Sequence, residues 1–349
     1  MQKPSSHLAA ATAMGDSTAA PPAQAQTAAP PPAPVGVDNF VRAETDTYLA
    51  GLAQLAGVGQ LRNARDLASI DHQRVIRTNR DTLYCSAVLD LDAGPVTITL
   101  PDAGKRYLSL HVINQDHYTT HIIHGAGPHT LAKEGVGTRY AYVIIRIFVD
   151  PGSADDLQQA HALQDAIRVS QKDPGTLELP SWDAAGLKKV RETLLELAST
   201  VPDARGMFGS RAEVDPVRHL IGAAFGWGGL PDKEAIYLNV YPGKADGKTI
   251  HRLTVKDVPV DAFWSISLYN AAGYFEKNAA GAYTVNNVTA QRGSDGAITV
   301  QFGGCDGGKT PNCLPIMPGW NYIVRLYQPR AEVASGAWTF PEAQPVSGA

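Results

Sequence analysis

Five of the chain's ten histidines, His111, His117, His121, His124 and His129, crowd one stretch, and Asp116 stands beside His117. Three imidazoles, or two with a carboxylate, are what a catalytic zinc or related divalent ion requires. His117 is the leading candidate ligand for Zn, Mn or Fe, with His121 and His124 secondary and Asp116 adjacent as ligand or base. Strand geometry divides the group. On an extended strand His117 and His121 project to one face and His124 to the other. A tight turn at "NQDH" would put His111 on the His124 side, so no simple register unites all four. The plainer alternative is a set of strand-surface imidazoles satisfied by local hydrogen bonds.

A second constellation is "TNRDTLYCS", residues 78–86, which sets Asn79, Arg80, Asp81 and Tyr84 within one short segment. The guanidinium offers a planar fork to a carboxylate, and Asp81 has the chemistry of a base. The competing account is an Arg–Asp pair that pins a loop. Arg146 interrupts the apolar run "YAYVIIRIFV". A buried arginine needs a partner, which Asp81 or Asp116 would supply. Cys85 sits in apolar surroundings with no base assigned, which disfavours a thiolate nucleophile. There is no G-x-S-x-G, HExxH, P-loop or G-x-G-x-x-G after a strand, so neither a serine elbow nor a nucleotide cofactor has support.

The elements that must position these groups change along the chain. Residues 37–70 read as helical, with Phe40, Val41, Tyr48, Leu52 and Leu55 spaced for one face. "PVTITL" alternates with period two, "RYLSLHVI" follows a turn, and "YAYVIIRIFV" has the continuous apolarity of a central strand. Ser153 with Asp156 resembles a capping box ahead of a helix, and a second helix runs from about Ser181 to Pro202. Beyond "DPVRHLIGAAFGWGGLP" the chain is short strands and turns, the pattern of a β-sandwich or jelly roll. The fold class expected is α+β and β-rich. The divisions are a disordered Ala/Pro-rich tail over 1–36, an α+β domain over 37–215 and a β-sandwich domain over 216–349. No internal repeat is visible.

Net charge is −4 and no basic face emerges, which argues against nucleic acid as a partner. No apolar run approaches the roughly 20 residues that span a bilayer. "AQA" at 23–25 has the form of a signal-peptidase site behind a weakly apolar stretch, so the tail reads either as an export-signal remnant or as a plain disordered extension. Cys305 and Cys313 flank the Gly-rich "CDGGKTPNC", where a disulfide, two free thiols or half a metal site all remain open. A disulfide would favour the periplasm or secretion over the cytoplasm.

"NRDTLY" followed by "LDLDAGPVTITLPDAGKRYLSLHVIN" resembles the bacterial family called domain of unknown function 1254. The stretch from "VPVDAFWSISLYNAAGYFEKN" to "GAWTFP" resembles its usual companion, domain of unknown function 1214. By position the first signature falls on Asn79, Asp81, Thr82, Leu83 and Tyr84, and the second on Phe263, Trp264 and Ser265. The resemblance implies two β-rich domains and carboxylesterase or metal-dependent amide hydrolysis. The function expected is hydrolysis of an ester or amide of a small organic molecule. Asp81 would activate water, Arg80 and Tyr84 would hold the oxyanion, and Arg146 would hold the carboxylates. His117, with Asp116 nearby, would ligate the metal or act as the base. Asn79, Asn114, Tyr118, Trp227 and Trp264 would contact the substrate. The alternatives are a non-catalytic cell-envelope protein that binds a ligand or glycan, and a metal-dependent lyase or isomerase. A homo-oligomer fits each of these.

Overall fold

In the computed structural model, which describes residues 31–73 and 76–346, the chain is an α+β protein dominated by antiparallel sheet. The "AQA" segment and residues 1–30 of the expected tail lie outside the described residues. Residues 31–36 do not behave as a free tail: the Ala33 backbone pairs with Ser181 and Asp183.

The N-terminal half is built on five strands in the order Arg62–Ala64, Thr82–Asp90, Tyr140–Phe148, Leu108–Asn114, Thr119–Ile123. The run "YAYVIIRIF" is the middle strand, as its continuous apolarity predicts. Side chains alternate between faces. Leu83, Cys85, Leu110, Val143, Ile145 and Ile147 turn to one side and meet Val96, Ile98 and Leu100 of a three-stranded sheet, forming a closed apolar core. The even-numbered positions of the two long strands, among them Tyr84 and Arg146, are thereby sent to the opposite face.

Three helices form a separate core from Phe40, Ala43, Leu187, Leu194, Ile221 and Ala223. The first helix, Phe40–Ala56, is shorter than expected, because the chain reverses at Gly57 (φ 91°) and then enters a strand. Ser153 caps the helix Ala154–Ala166 by accepting from the Asp156 N–H at 3.1 Å. The helix Ala184–Ala198 is capped by Asp183 and not by Ser181. The helix Pro216–Phe225 starts on an Asp215 cap. Assigned by sequence to the second unit, it packs instead with the helices of the first.

Two four-stranded sheets share one core in the C-terminal half, a sandwich as expected. One has the order Thr284–Asn286, Trp264–Tyr269, Asn321–Tyr327, Ala235–Val240, all antiparallel. The other contains Ile298–Phe302, whose pairing with Cys313–Leu314 is parallel. Cys305 and Cys313 form a disulfide, with Cα atoms 5.5 Å apart. The halves meet through Tyr107 and Phe148 packed on Phe263 and Tyr327. Among the described residues no helix is long and apolar enough to cross a membrane.

Candidate functional site

On the middle strand of the N-terminal sheet, Arg146 stands opposite Tyr84 on one neighbour and Ser109 on the other. In the C-terminal half, Arg325 stands opposite Tyr237 on one neighbour and Ser265 on the other. Each half therefore carries the same Tyr–Arg–Ser row across three antiparallel strands. Both serine hydroxyls are buried without a hydrogen-bond partner. The tyrosine and arginine of both rows line one cavity of about 260 Å³ between the halves.

That cavity is walled by donors. Arg146 is 6% exposed and Arg325 3%, and neither forms an ion pair among the described residues. The Arg146 guanidinium donates to His111 Nδ1 (3.2 Å) and to the Gly228 carbonyl (2.7 Å). Arg325 donates to Ser267 Oγ, the Arg77 carbonyl and the Tyr269 hydroxyl at 2.8–2.9 Å. A guanidinium has five N–H groups, so both retain donors. Asn79 donates its amide to the hydroxyl oxygens of Tyr327 (2.9 Å) and Tyr84 (3.4 Å), leaving each phenolic proton directed elsewhere. Burial raises the pKa of Tyr237 and Tyr327, so both stay protonated donors at neutral pH. Among the described residues no Asp, Glu or His belongs to the lining.

A glycine-rich strap closes one side. The Gly228 N–H donates to His117 Nε2 at 2.8 Å while its carbonyl accepts from Arg146, so this one residue is held through both of its backbone groups. Gly228 takes φ 79°, a conformation that favours glycine. At Gly229 a Cβ would lie 2.4 Å from the Phe208 ring, so only glycine lets that ring reach the cavity wall. Trp227 also lines the cavity, anchored by its indole N–H to Thr45 (3.1 Å) and stacked on Tyr48 at 4.2 Å.

Of the residues singled out from sequence, Asn79, Tyr84, Arg146 and Trp227 reach this cavity. Asp81 does not: fully buried, it accepts from Thr284 (3.2 Å) and Asn286 (3.3 Å) and ties the halves together. Burial raises its pKa, partly offset by the Arg325 charge and by hydrogen bonds, and its Oδ2 has no partner. Arg80 turns away to the Ala68 carbonyl and lies 5.4 Å over the Tyr283 ring. Asp116 pairs with Arg42 at the surface and not with Arg146. Asn114 spends its side chain on a turn, accepting from the N–H groups of Asp116 and Tyr118. Tyr118 stacks on His219 at 4.5 Å, and Trp264 belongs to the sandwich core beside Phe340.

The histidines separate, as strand geometry warned. His117 sits in the turn with φ 62°, outside the strand. Its Nε2 lone pair is taken by Gly228, and burial with His219 beside it lowers its pKa to about 3. His121 bonds to Thr120, and His124 to Glu234 at 2.8 Å. Among the described residues no group of three or more His, Cys, Asp or Glu side chains could hold a metal ion. Burial pushes the Cys85 thiol up to about 12, which makes it inert at neutral pH. A larger hollow of about 440 Å³ near Arg106 is open, and that arginine is paired with Asp156.

The cavity-lining residues that sequence reading missed include Arg325, Tyr237 and Tyr327. A signal for Arg325 was present: "YIVRLY" repeats the lone arginine in an apolar strand that drew attention to Arg146.

Residues 58–136 match the family described as Protein of unknown function (DUF1254), and residues 236–331 match Protein of unknown function (DUF1214). The crystal structure of the VPA0106 protein from Vibrio parahaemolyticus is similar over 89% of this chain and 98% of that one, with TM-score 0.69 and 20% identity. An uncharacterized protein from Burkholderia cenocepacia aligns over 84% and 85% of the two chains with TM-score 0.48 and 14% identity. No curated protein matches the chain.

Proposed function

We propose that this chain, which carries a DUF1254 domain followed by a DUF1214 domain, binds a small organic anion in the cavity between its halves without transforming it. The observation that carries this reading is the pair Arg146 and Arg325, buried, one from each half, and without a carboxylate partner among the described residues. Burying an unpaired charge is costly, and a bound anion supplies the missing counter-charge. The phenols of Tyr84, Tyr237 and Tyr327 add neutral donors, and Phe208 and Trp227 supply apolar wall. Such a mix of apolar surface and convergent polar groups is the usual make-up of a small-molecule site.

Binding is favoured over ester or amide hydrolysis because hydrolysis needs a base within hydrogen-bond reach of a water. Among the described residues the lining offers no carboxylate or imidazole, and Asp81 lies outside it, accepting from Thr284 and Asn286. The Cys305–Cys313 disulfide supports an oxidising compartment such as the periplasm as the place of action.

Calorimetric titration with small carboxylates and their neutral amides tests the proposal. The carboxylates bind, the amides bind at least ~10-fold more weakly, and Arg146→Gln narrows the difference. Equal binding of amides and acids, or turnover of an ester that Arg146→Gln abolishes, refutes it.

A further inference from the structure

The two rows that meet at the cavity are equivalent in composition and placement, and this equivalence bears on the ligand. Each arginine lies on the central of three antiparallel strands, with a tyrosine directly across one ladder and a serine across the other. Each tyrosine projects to the same cavity as its arginine. The Tyr84 oxygen already accepts from the Asn79 amide, so its phenol has its proton to give. Neither guanidinium forms an ion pair among the described residues. Asp81, the carboxylate whose charge Arg325 feels, hydrogen-bonds to Thr284 and Asn286 and not to the guanidinium.

We infer that the ligand is a small dicarboxylate, held with one carboxylate on the Tyr84–Arg146 pair and the other on the Tyr237–Arg325 pair. This rests on the reading of the cavity as an anion site. A monoanion would leave one buried guanidinium without compensation, whereas a dianion neutralises both. The cavity volume of about 260 Å³ suits a short acyclic diacid. In this arrangement each phenol, on the strand beside its arginine, gives a second hydrogen bond to that carboxylate. Because the two receptors sit on different halves, the ligand also bridges them.

Calorimetry on the full chain with succinate, glutarate and adipate, each beside its monomethyl ester, tests the assignment. One of the diacids is expected to bind at least ~10-fold more tightly than its ester, the scale of losing one charge-assisted contact. Arg146→Gln and Arg325→Gln are each expected to bring the diacid down to the affinity of its ester. The wild-type comparison needs no variant, so it decides even where a substituted chain does not fold. Equal affinity for diacid and monoester overturns the dicarboxylate class and leaves anion binding standing. Dependence of the preference on one arginine alone overturns the two-row arrangement. Absence of any carboxylate binding overturns the anion reading and this inference with it.

Discussion

Asn79 donates its side-chain amide to the Tyr327 hydroxyl at 2.9 Å, across 248 residues of sequence. The same amide faces Thr82 and Tyr84, and its oxygen accepts from the Asp81 N–H at 2.8 Å. One short polar side chain therefore fixes the loop before the strand Thr82–Asp90, ties the halves together and sets the direction of two phenolic protons. Asn79→Ala is expected to cost about 1–3 kcal/mol, since it orphans buried partners. Asn79→Asp replaces the donor by an acceptor that competes with the ligand, and should lower carboxylate affinity by ~10-fold or more. Urea unfolding reads the first and calorimetry the second. Unchanged affinity in Asn79→Asp would contradict the donor-lined description of the cavity.

Gly229 controls the Phe208 wall. A methyl group there meets the Phe208 ring at 2.4 Å, so Gly229→Ala must displace the ring or the strap. Overpacking of this kind costs about 1–3 kcal/mol. The variant should show a lower midpoint in urea and weaker carboxylate binding, because the strap also carries the Gly228 carbonyl that positions Arg146. A variant with wild-type stability would show that the strap yields freely.

Acid stability should report His117. Its pKa is held near 3 by burial and the neighbouring His219, below the ordinary value of 6.5. Between those values the unfolded chain binds the proton and the folded chain does not, so stability falls as pH falls. Burial and the Arg146 charge likewise lower His111. Asp81 acts in the opposite sense: its raised pKa adds stability at low pH that is lost as pH rises through the folded value. His117→Asn keeps a residue that tolerates the left-handed backbone and removes one titration. From about pH 6 to pH 4 the wild type should lose ~1.4 kcal/mol per pH unit more than the variant. Parallel unfolding curves at several pH values check this, and equal slopes would refute it.

The Cys305–Cys313 bridge closes a short loop at the edge of the sandwich. Chain-entropy reasoning assigns a loop of this length about 2–3 kcal/mol. Reduction, or the Cys305→Ala/Cys313→Ala pair, should lower the unfolding midpoint accordingly and leave carboxylate affinity unchanged, since neither cysteine lines the cavity. An unchanged midpoint would show that the loop is fixed without the bridge.

The sequence by itself determined the local architecture. Period-two alternation set the strand Val96–Leu100, continuous apolarity marked Tyr140–Phe148 as central, and Ser153 with Asp156 announced a helix start. It also exposed Asn79, Tyr84, Arg146 and Trp227 as groups with chemistry to account for, because polar side chains in apolar settings must find partners. Tertiary structure decided which of these partners they found. Asp81 is two residues from Asn79, yet its carboxyl goes to Thr284 and Asn286 while the Asn79 amide reaches Tyr327. His117 left the strand for a turn and gave its lone pair to a glycine N–H more than a hundred residues away. Periodicity fixes which face of a strand a side chain occupies. Which faces of two sheets then meet is set by packing between distant segments, and no local pattern encodes it. The second Tyr–Arg–Ser row was present in the residues 237, 265 and 325 all along, but only the strand register of the C-terminal half brought them into line opposite the first.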